Sequence, residues 1–493
     1  MQALSIKSEK FFWMLKGIVL LNILFVIWTL LCSSIIVCDD IEHLRASYFI
    51  SLGEVPYRDF FEHHHPLLWY VLWPLIKILP QSTLISIYIG RAISFLISLG
   101  TGYYFYRIMR RFVGGKTVAL LAIILYFASL PAWYSMINVK PDIYMRLFYF
   151  GGLYHLFLYF QRKKLQDLCI CGVFWTVGFL FLQTLALLVL PLIIPVIWFL
   201  YHHPRQIKNF LLAAVIPLLI LAGFVGILCY SGTWEAYFET NWLFNSQMSD
   251  FLSRLPQRKG LVVFADMILM ASVAAIFYLR TSRGKNIYMI SLILLFVCEL
   301  LQRVFWVAIF SQYYVMFCAF AAMVTAPMAY KILRWESKVF YVLIMFLAIH
   351  AFVNFKSLSK HVMFEQAFYY LEQEDQPRNE AYGLNCGIYQ AREAYYWTLP
   401  DVEGLHDIYY NRGQDYDINE LLDREDIRYY CSSGERESKF PKYMEKMLDL
   451  TAEQKAALQR HLLNDEFQQK YRLISDKLYE KNSSTDEKIK DNH

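Results

Sequence analysis

Long apolar blocks recur along this chain, and they constrain its fold more than any other feature of the sequence. Hydrophobic residues make up 57% of the 493 positions, and only 18% are charged. Apolar blocks of about 18 or more residues contain few charged residues. Each block is long enough to cross the ~30 Å hydrocarbon core of a bilayer as a helix. The sequence therefore predicts an α-helical membrane protein that crosses the bilayer many times.

The apolar blocks and the charged loops between them predict the number and orientation of the spans. We expect about eleven spans. They lie near residues 14–37, 83–106, 117–135, 143–160, 168–183, 184–201, 209–230, 261–279, 287–308, 312–332 and 339–355. Lys and Arg cluster at every second boundary, which places those loops and the N-terminus in the cytoplasm. An odd number of spans then puts residues 357–493 on the outer face.

The first apolar block, Phe11–Val37, is predicted to be an uncleaved span, because it is too long for a signal-peptide core and has no small-residue cleavage pattern. Bases outnumber acids in residues 1–356, whereas acids outnumber bases in 357–493, and such a split indicates two environments. We therefore expect a membrane domain over 1–356 with its first outer loop at 38–82, a soluble extracytoplasmic mixed α/β domain over 357–481, and a disordered tail over 482–493.

Short patterns predict the elements of the C-terminal domain. Ile418–Asp423 has a helical pattern, Ile427–Tyr430 is typical of a short strand, and Ala452–Tyr479 is predicted to be helical. Cys386 and Cys431 could pair if this domain lies outside the cytoplasm, but the sequence gives no geometry and leaves the pairing open.

The first outer loop concentrates polar residues beside a membrane span. Its six acids and four histidines are Asp39, Asp40, Glu42, Glu54, Asp59, Glu62, His43, His63, His64 and His65. Such a segment is costly next to a membrane unless it works in water at the surface. Apolar residues after Asp39 keep helical spacing until Gly53 and Pro56 break the pattern. We therefore predict an active-site loop that begins with a surface helix.

Asp39, Glu42 and His43 share one face of that helix, because they are spaced i, i+3 and i+4. A carboxylate at the exit of the first span could take a proton from a hydroxyl nucleophile. The alternative for Asp39 is a helix N-cap, which would satisfy free backbone N–H groups. Two Asp, one Glu and one His lie within five residues, and this density favours the catalytic interpretation.

The run His63-His64-His65 has two interpretations. Adjacent side chains point in different directions, so all three cannot bind one metal ion. His63 and His65 could bind one in an extended segment, with Asp59 or Glu62 supplying an oxygen. We favour contacts with a phosphate or a sugar hydroxyl, and we expect neither a metal nor another cofactor.

Further candidates follow at the predicted outer ends of later spans. Asp142 is either a second acid of the active site or a helix cap, and Lys140 is either a phosphate ligand or an interface anchor. Glu299 and Arg303 are spaced i, i+4, which indicates a buried ion pair or an arginine that reaches an anionic head group. Residues 312–314, Gln-Tyr-Tyr, are candidates for sugar contacts.

The loop 231–260 is the last candidate segment, and it is rich in Trp and Arg. It is either a cover for a lipid or sugar substrate or a simple interfacial loop. The sequence contains no GxGxxG, GxxxxGK[ST], HExxH or GxSxG pattern, which argues against a nucleotide-driven pump and against familiar proteases.

This arrangement resembles the GT-C class of membrane glycosyltransferases, in particular the bacterial relatives of dolichyl-phosphate-mannose–protein mannosyltransferases and of the lipid A aminoarabinose transferase. The family pattern is an acidic pair after the first span, then a Gly…Pro-Tyr-x-Asp block, then a basic-Pro-Leu block. Here these positions are occupied by Asp39-Asp40, by Gly53 to Asp59 and by His63 to Leu67. The resemblance extends over residues 10–355, and it is strongest at 38–70, 138–142 and 312–314.

The resemblance implies roles for individual residues. Asp39 takes the place of the family's catalytic base, Asp40 stands where the family often has Glu, and Asp142 matches a further acid. The substrate-binding set is expected to contain Glu42, His43, Arg58, Asp59, His63, His64, His65, Lys140, Arg303, Gln312, Tyr313 and Tyr314. Many relatives have Lys before the Pro-Leu pair, whereas this chain has histidines, which are only partly charged near neutrality.

The predicted function is the inverting transfer of a sugar from a polyprenyl-phosphate donor to an acceptor hydroxyl on a lipid, glycan or protein. The reaction would take place at the outer face of the plasma (bacterial inner) membrane. The alternative is a transporter or flippase of lipid-linked sugars, for which broken helices near the bilayer midplane would be typical. We expect no nucleic-acid partner, because Lys and Arg lie in short loops between apolar blocks. The sugar and the acceptor are not specified by the sequence.

Overall fold

The computed structural model describes residues 12–21, 23, 24, 27, 38–79, 82–127, 129, 131, 132, 135, 136, 138–247, 264–281, 286–305, 313–335, 366–371, 373, 378–383, 386–392, 418–424, 426–431, 451–460, 464–475 and 478–482. The chain forms two compact units. The first unit comprises Met1–Ser33, Gly90–Ile227 and Gln257–His361, and the second comprises Ser34–Ile89, Leu228–Pro256 and Val362–His493.

Helices make up most of the described residues. In chain order they are α1 Phe12–Leu21, α2 Cys38–Ser51, α3 Leu67–Ile78, α4 Thr83–Ile108, α5 Gly115–Phe127, α6 Pro141–Arg162, α7 Leu165–Phe181, α8 Leu185–Val189, α9 Ile193–His202, α10 Ile207–Tyr230, α11 Trp234–Phe238, α12 Ala265–Thr281, α13 Ile287–Phe305, α14 Tyr314–Trp335, α15 Gln366–Leu371, α16 Ile418–Arg424, α17 Ala452–Arg460 and α18 Asp465–Lys470. Shorter π and 3₁₀ turns lie at Met109–Gly114, Leu190–Leu192, Pro204–Gln206, Glu239–Phe244 and Arg378–Glu380.

Five helical segments of the described chain are long and apolar enough to cross a membrane. They are Thr83–Phe127, Leu185–His202, Pro204–Tyr230, Ile287–Val304 and Tyr314–Leu333. These segments confirm the predicted α-helical, multi-pass fold. The count of eleven stays a prediction, since the expected span 339–355 and most of 14–37 lie outside the described residues.

Small residues let the helices of the first unit approach closely, as is typical of membrane bundles. A Cβ added at Gly151 of α6 would lie 2.1 Å from the Phe174 ring of α7, and one at Gly152 would lie 2.3 Å from the Trp175 indole. Trp175 also donates from Nε1 to the Tyr149 carbonyl over 3.1 Å. Larger residues at these two glycines would force the helices apart.

In the second unit, helices α2 and α3 pack as a pair around Ile41, Leu44 and Ile76, which are buried. Helix α2 ends where Gly53 takes a φ of 96°, a conformation that glycine adopts without strain. The predicted helix and its break are therefore confirmed, whereas its position along the membrane surface stays a prediction. Residues 61–66 are irregular, and helix α3 begins only at Leu67.

A four-stranded sheet forms the core of the C-terminal part. Its strands are β1 Ala381–Tyr382, β2 Tyr429–Cys431, β3 Tyr471–Ser475 and β4 Leu478–Lys481, in the order β1-β2-β4-β3. Strands β1 and β2 are parallel, and the other pairs are antiparallel. The buried side chains around it include Phe368, Leu371, Ile388, Tyr429 and Leu478. The predicted helix at 418–423 and the short strand that follows it are confirmed.

The prediction of a continuous helix over Ala452–Tyr479 is wrong. The segment forms two helices, α17 and α18, and then turns into the β3–β4 hairpin. Strand β4 pairs with β2, which lies more than 40 residues earlier in the sequence. Local periodicity does not report the hydrogen bonds of such a long-range pairing. The Tyr471 hydroxyl fixes the start of the hairpin by donating to the Ile427 carbonyl over 2.6 Å.

Cys386 and Cys431, whose pairing the sequence leaves open, form a disulfide in the second unit. Their Cα atoms are 5.2 Å apart, and 45 residues separate them in sequence. Cys431 ends strand β2, and Cys386 precedes the buried segment Ile388–Ala391. The disulfide thus attaches this segment covalently to the sheet. The predicted tail 482–493 lies outside the described residues, except for Asn482.

Candidate active site

The first turn of α2 carries the acidic pair predicted to be catalytic. Asp39 is partly exposed, whereas Asp40 is fully buried. The free N–H groups and positive dipole end of a helix favour negative charge at this position. Of the two acids, Asp39 is therefore the one that a substrate hydroxyl arriving from solvent can reach.

One turn further along α2, two buried carboxylates share a histidine. The His64 Nδ1 atom lies 3.2 Å from Glu42 Oε1 and 3.4 Å from Glu62 Oε2. The side chains of Glu42 and Glu62 are almost completely buried, and that of His64 is one-fifth exposed. Glu42, Glu62 and His64 form what we call the Glu–His–Glu cluster. The pairing of Glu42 with His64 brings two predicted site residues together.

The protonation of the Glu–His–Glu cluster follows from burial and charge. Burial lowers the pKa of His64, but hydrogen bonds and charges from Glu42 and Glu62 outweigh this effect and raise it to about 10. Burial and the charge of Glu62 raise the pKa of Glu42 to about 8, against the opposing effects of His64 and Arg45. His64 is therefore an imidazolium at neutral pH, and a single negative charge shared by the Glu42 and Glu62 carboxyl groups is enough to compensate it.

His43, the other predicted histidine of α2, is held in the neutral state. Trp69 of α3 donates from Nε1 to His43 Nδ1 over 3.2 Å. Because indole nitrogen only donates, His43 must carry its proton on Nε2. Burial and the nearby charges of His64 and Arg45 lower the pKa of His43 well below its usual range. Its Nε2–H group is therefore a donor for an acceptor oxygen.

The 228–247 segment holds the histidine run in place from the same unit. Asn245 donates from Nδ2 to the His63 carbonyl over 2.8 Å, and Tyr237 Oη lies 3.0 Å from His65 Nε2. The His63 and His64 rings lie side by side, with centroids 4.1 Å apart, whereas His65 contacts Tyr237. The expectation that His63 and His65 would be the pair that comes together is therefore wrong, because the irregular backbone of 61–66 does not alternate like a strand. Tyr237 and Asn245 were not identified from the sequence, where only the aromatic character of loop 231–260 pointed to this segment. The remainder of that predicted loop lies outside the described residues.

Two groups of described residues have the composition and spacing of a cation site. In Glu42–His43–His64 and in Glu62–His63–His64, the ligand atoms lie within 4.8 Å of one another. However, His43 Nδ1 already accepts from Trp69, and His64 Nδ1 lies between two carboxylates as a protonated donor. The geometry is that of an ion-pair network, so we assign no metal to it. The absence of a cofactor stays a prediction.

Arg58 and Asp59 are paired with each other on an exposed turn. Arg58 Nε donates to Asp59 Oδ1 over 2.8 Å, and Asp59 Oδ2 accepts from the Val55 N–H over 2.7 Å. These hydrogen bonds fix the turn in which Tyr57 takes a φ of 69°. Tyr57 in turn donates from its hydroxyl to the His64 carbonyl over 2.6 Å. The pair thus shapes the loop that presents the histidines, and its predicted role in substrate binding is untested.

The first unit contains the remaining candidates. Lys140 is buried, and Asp142 is partly exposed in the first turn of α6. One turn later, Arg146 donates from Nη1 to Ser135 Oγ over 2.8 Å and from Nε to the Asp142 carbonyl over 2.9 Å. Arg146 was not selected from the sequence, although a charge inside the predicted span 143–160 is itself a signal of function.

The predicted i, i+4 ion pair in α13 is present. Arg303 Nη2 lies 3.3 Å from Glu299 Oε2, and the guanidinium carbon is 5.9 Å from the ring centres of both Tyr313 and Tyr314. Glu299 is buried and Arg303 is mostly buried. Gln312 lies outside the described residues.

Comparison with known proteins supports the resemblance inferred from the motifs. The structure has several apolar helices of membrane-spanning length, as the sequence predicts. Residues 63–230, about a third of the chain, match the family model described as dolichyl-phosphate-mannose-protein mannosyltransferase. The match begins inside the loop that carries the acids and histidines, and it confirms the resemblance to that family.

Other comparisons add little. No curated protein matches the sequence at a significant level. Among solved structures, the chain is similar to the crystal structure of ArnT from Cupriavidus metallidurans bound to undecaprenyl phosphate, with 14% sequence identity and a TM-score of 0.44. That similarity covers 64% of this chain and 60% of that protein.

Proposed function

We propose that this protein transfers a sugar from a polyprenyl-phosphate donor to an acceptor hydroxyl at the outer face of the membrane. The match of residues 63–230 to a family whose name specifies a dolichyl-phosphate-linked mannose donor carries this proposal. The matched segment begins at His63, inside the polar loop, and continues through the helices that carry Lys140 and Asp142. The acidic first turn of α2 supplies the chemistry that such a transfer needs.

Asp39 acts as the general base in this proposal. Its carboxylate takes the proton from the acceptor hydroxyl, and the resulting oxygen attacks the anomeric carbon on the side opposite the phosphate. The bond between the anomeric carbon and the phosphate oxygen breaks, and that oxygen keeps the electron pair. The configuration at the anomeric carbon is inverted. Partial exposure of Asp39 and complete burial of Asp40 support this assignment.

The leaving phosphate gains negative charge and needs cations near it. His64 is a poor choice for this role, because Glu42 and Glu62 already compensate its charge. Lys140 and Arg303 are the cations that the sequence predicts for the stabilisation of the phosphate. The Nε2–H group of His43 is suited to contact a sugar hydroxyl.

The outer-face location is supported by chemistry in the second unit. Structural disulfides persist in oxidising compartments and are rare in the cytoplasm. The Cys386–Cys431 disulfide therefore favours an extracytoplasmic position for the part of the chain that carries it. This agrees with the distribution of Lys and Arg between the apolar blocks, which places the N-terminus in the cytoplasm.

The experiment that tests the proposed function compares cell-envelope glycans by mass spectrometry in cells that express wild type, Asp39→Asn or no protein. We expect a sugar adduct that requires the wild-type protein and decreases about 10²- to 10⁴-fold with Asp39→Asn, since general-base catalysis contributes about that factor. Glu235→Gln, which alters an exposed acid of α11, is the matched control and should preserve the adduct. Wild-type levels of adduct with Asp39→Asn would exclude Asp39 as the base.

The same experiment separates transfer from transport. A transporter or flippase would change the distribution of the lipid-linked sugar without forming a new glycosidic bond. Reaction of the purified protein with a polyprenyl-phosphate sugar in detergent, where no second compartment exists, should still yield glycosylated acceptor. A purified protein that never forms this bond would contradict the proposed function.

A further inference from the structure

Seven cationic side chains collect where α4 ends, where α5 begins and where α6 turns into α7. We call this set the basic surface, and its members are Arg107, Arg110, Arg111, Lys116, Arg162, Lys163 and Lys164. Asp167 is the sole acidic residue of the sequence between positions 143 and 233, and its Oδ1 atom lies 3.7 Å from His155 Nδ1. Within the described part of the chain, no carboxylate oxygen lies within 4.0 Å of any of the seven cationic groups.

Hydrogen bonds between neutral groups and arginines join the two halves of the basic surface. Arg111 donates to Gln161 Oε1 from Nε over 3.0 Å and from Nη2 over 2.9 Å, and Gln161 directly precedes Arg162 in the sequence. Arg107 donates from Nη2 to the Tyr154 hydroxyl of α6 over 2.6 Å. Six of the seven cationic residues are exposed, and Arg107 is partly buried. The cations of the π turn Met109–Gly114 and those of the α6–α7 turn therefore form one continuous surface.

Repulsion inside the basic surface is not relieved by the described side chains. Arg107, Arg110 and Arg111 are spaced i, i+3 and i+4, and like charges at this spacing destabilise a helix. Lys163 takes a left-handed φ of 59° at the end of α6, so the next two cations follow within a tight turn. An anion from outside the chain would therefore stabilise this part of the protein.

Tyrosine contacts and helix length indicate the depth of the basic surface in the membrane. Tyr103 is 53% exposed, and the Arg107 guanidinium carbon lies 5.4 Å from its ring centre. Exposed tyrosine beside arginine is typical of the level of the lipid head groups. Helix α6 has 22 residues, and a helix of that length spans about 33 Å from Asp142 in its first turn to Arg162 at its end. The basic surface therefore belongs to the membrane face opposite Asp142, which is the cytoplasmic face in the orientation that the sequence predicts.

We propose that the basic surface binds the head groups of anionic glycerophospholipids in the cytoplasmic leaflet. The negative potential of a leaflet that contains anionic lipids attracts basic segments next to a membrane helix, and basic pockets between membrane helices bind phosphate-rich head groups. The exposed guanidinium groups of Arg110 and Arg162 can each bind a phosphate through two parallel hydrogen bonds. A lipid with two phosphates, such as cardiolipin, fits a surface that has one group of cations on each side of the Arg111–Gln161 contact. This inference does not depend on the proposed function.

The test measures the lipids that stay bound to the purified full-length protein in native mass spectrometry, with cardiolipin and phosphatidylethanolamine as separate probes. We expect wild type to bind cardiolipin more tightly, and we expect an equal concentration of inorganic phosphate not to displace it. Arg110→Gln with Arg162→Gln removes one exposed guanidinium from each half of the surface. It should weaken cardiolipin binding about 25-fold, since each cation at an anionic membrane surface contributes about a factor of five. Arg110→Lys with Arg162→Lys keeps both charges and should retain most of the affinity.

Arg428→Gln with Arg472→Gln is the matched control, because it also removes two exposed arginines, but these belong to the second unit and pair with Glu480. This control should bind cardiolipin as wild type does.

A folded Arg110→Gln, Arg162→Gln protein with wild-type affinity for cardiolipin would overturn the proposal and leave the basic surface as a determinant of orientation alone. Equal affinity of wild type for cardiolipin and phosphatidylethanolamine would also overturn it, because the surface would then not select negative charge. Displacement of cardiolipin by inorganic phosphate would show that the site takes a free anion rather than a lipid, which likewise contradicts the proposal.

Discussion

Two places in the molecule hold buried charge with different partners. In the second unit, the His64 imidazolium lies between the carboxyl groups of Glu42 and Glu62, so the charges of the loop are balanced within the loop itself. In the first unit, the Arg146 guanidinium donates to the Ser135 hydroxyl and the Asp142 carbonyl, although Arg303 of the same unit is paired with Glu299. Loss of one charge from the loop therefore leaves its partners uncompensated, whereas loss of Arg146 leaves only neutral groups without a hydrogen bond.

This comparison changes the interpretation of the histidines. From sequence alone, His64 stands where many relatives have lysine, and a phosphate contact is the natural expectation. The structure places that histidine against two carboxylates, and this makes it a connector between α2 and the following loop. Lys140 and Arg303 then stay the predicted phosphate ligands.

The largest effect on stability is expected from His64→Ala. Removing one member of a buried ion network leaves the others uncompensated, which costs about 3–5 kcal/mol. Glu42 and Glu62 would then face each other with Arg45 as the nearby cation that remains. Hydrogen exchange of the α2 amides should report a free energy of opening lower by about that amount.

Two controls define that prediction. Arg58→Ala breaks an exposed pair and should leave the free energy of opening of α2 almost unchanged. The triple variant Glu42→Gln, Glu62→Gln and His64→Gln removes all three charges, so it should be more stable than His64→Ala alone. An unchanged α2 in His64→Ala would refute the view that the loop depends on its own charge balance.

A smaller loss is expected when the disulfide is removed. Cys386→Ser with Cys431→Ser frees a 45-residue loop, and such a loss typically costs about 2–4 kcal/mol. The segment attached by the disulfide also contacts α2: the rings of Tyr389 and Tyr48 are 5.3 Å apart, and Arg392 lies 3.3 Å from Glu54. Hydrogen exchange should therefore rise in β2 and, to a smaller extent, in α2.

Cys169→Ser is the control for the disulfide variant, because Cys169 is a free cysteine of the first unit. It should leave exchange in β2 and α2 unchanged. If the double serine variant changes β2 but not α2, the contacts of Tyr389 and Arg392 do not support the active-site helix. That result would restrict the role of the disulfide to the sheet.

Local patterns in the sequence predicted much of the second unit but not its long-range contacts. The helix at α2, its break at Gly53 and the short strand β2 follow from periodicity and from glycine. The Glu–His–Glu cluster does not follow from these patterns. It depends on a turn in which Tyr57, a non-glycine residue, adopts a positive φ. The contacts from Tyr237 and Asn245 span more than 170 residues, and no local rule reaches that far.

In the first unit, the sequence predicted the apolar helices well but predicted few of the contacts made by buried polar side chains. Apolar length identified its helices, and i, i+4 spacing identified the Glu299–Arg303 pair. Arg146 was not predicted to be a functional residue, because it lies inside the predicted span 143–160 and the candidates were mainly acids and histidines of polar loops. Its hydrogen bond to Ser135 depends on tertiary packing, which its sequence neighbours do not encode.

Alkaline pH should weaken α2 by the smallest single increment, about 1.4 kcal/mol for each pH unit. The pKa of His64, raised from 6.5 to about 10, means that the folded loop holds a proton that the unfolded loop has released. Its stabilisation is therefore complete below about pH 6.5 and is lost as the pH rises through about 10, at about 1.4 kcal/mol per pH unit. The raised pKa of Glu42 acts in the same direction. Hydrogen exchange of α2, corrected for intrinsic rates, should show this slope in wild type and a reduced slope in His64→Gln. Equal slopes in wild type and in His64→Gln would show that the loss of α2 stability with rising pH does not come from His64.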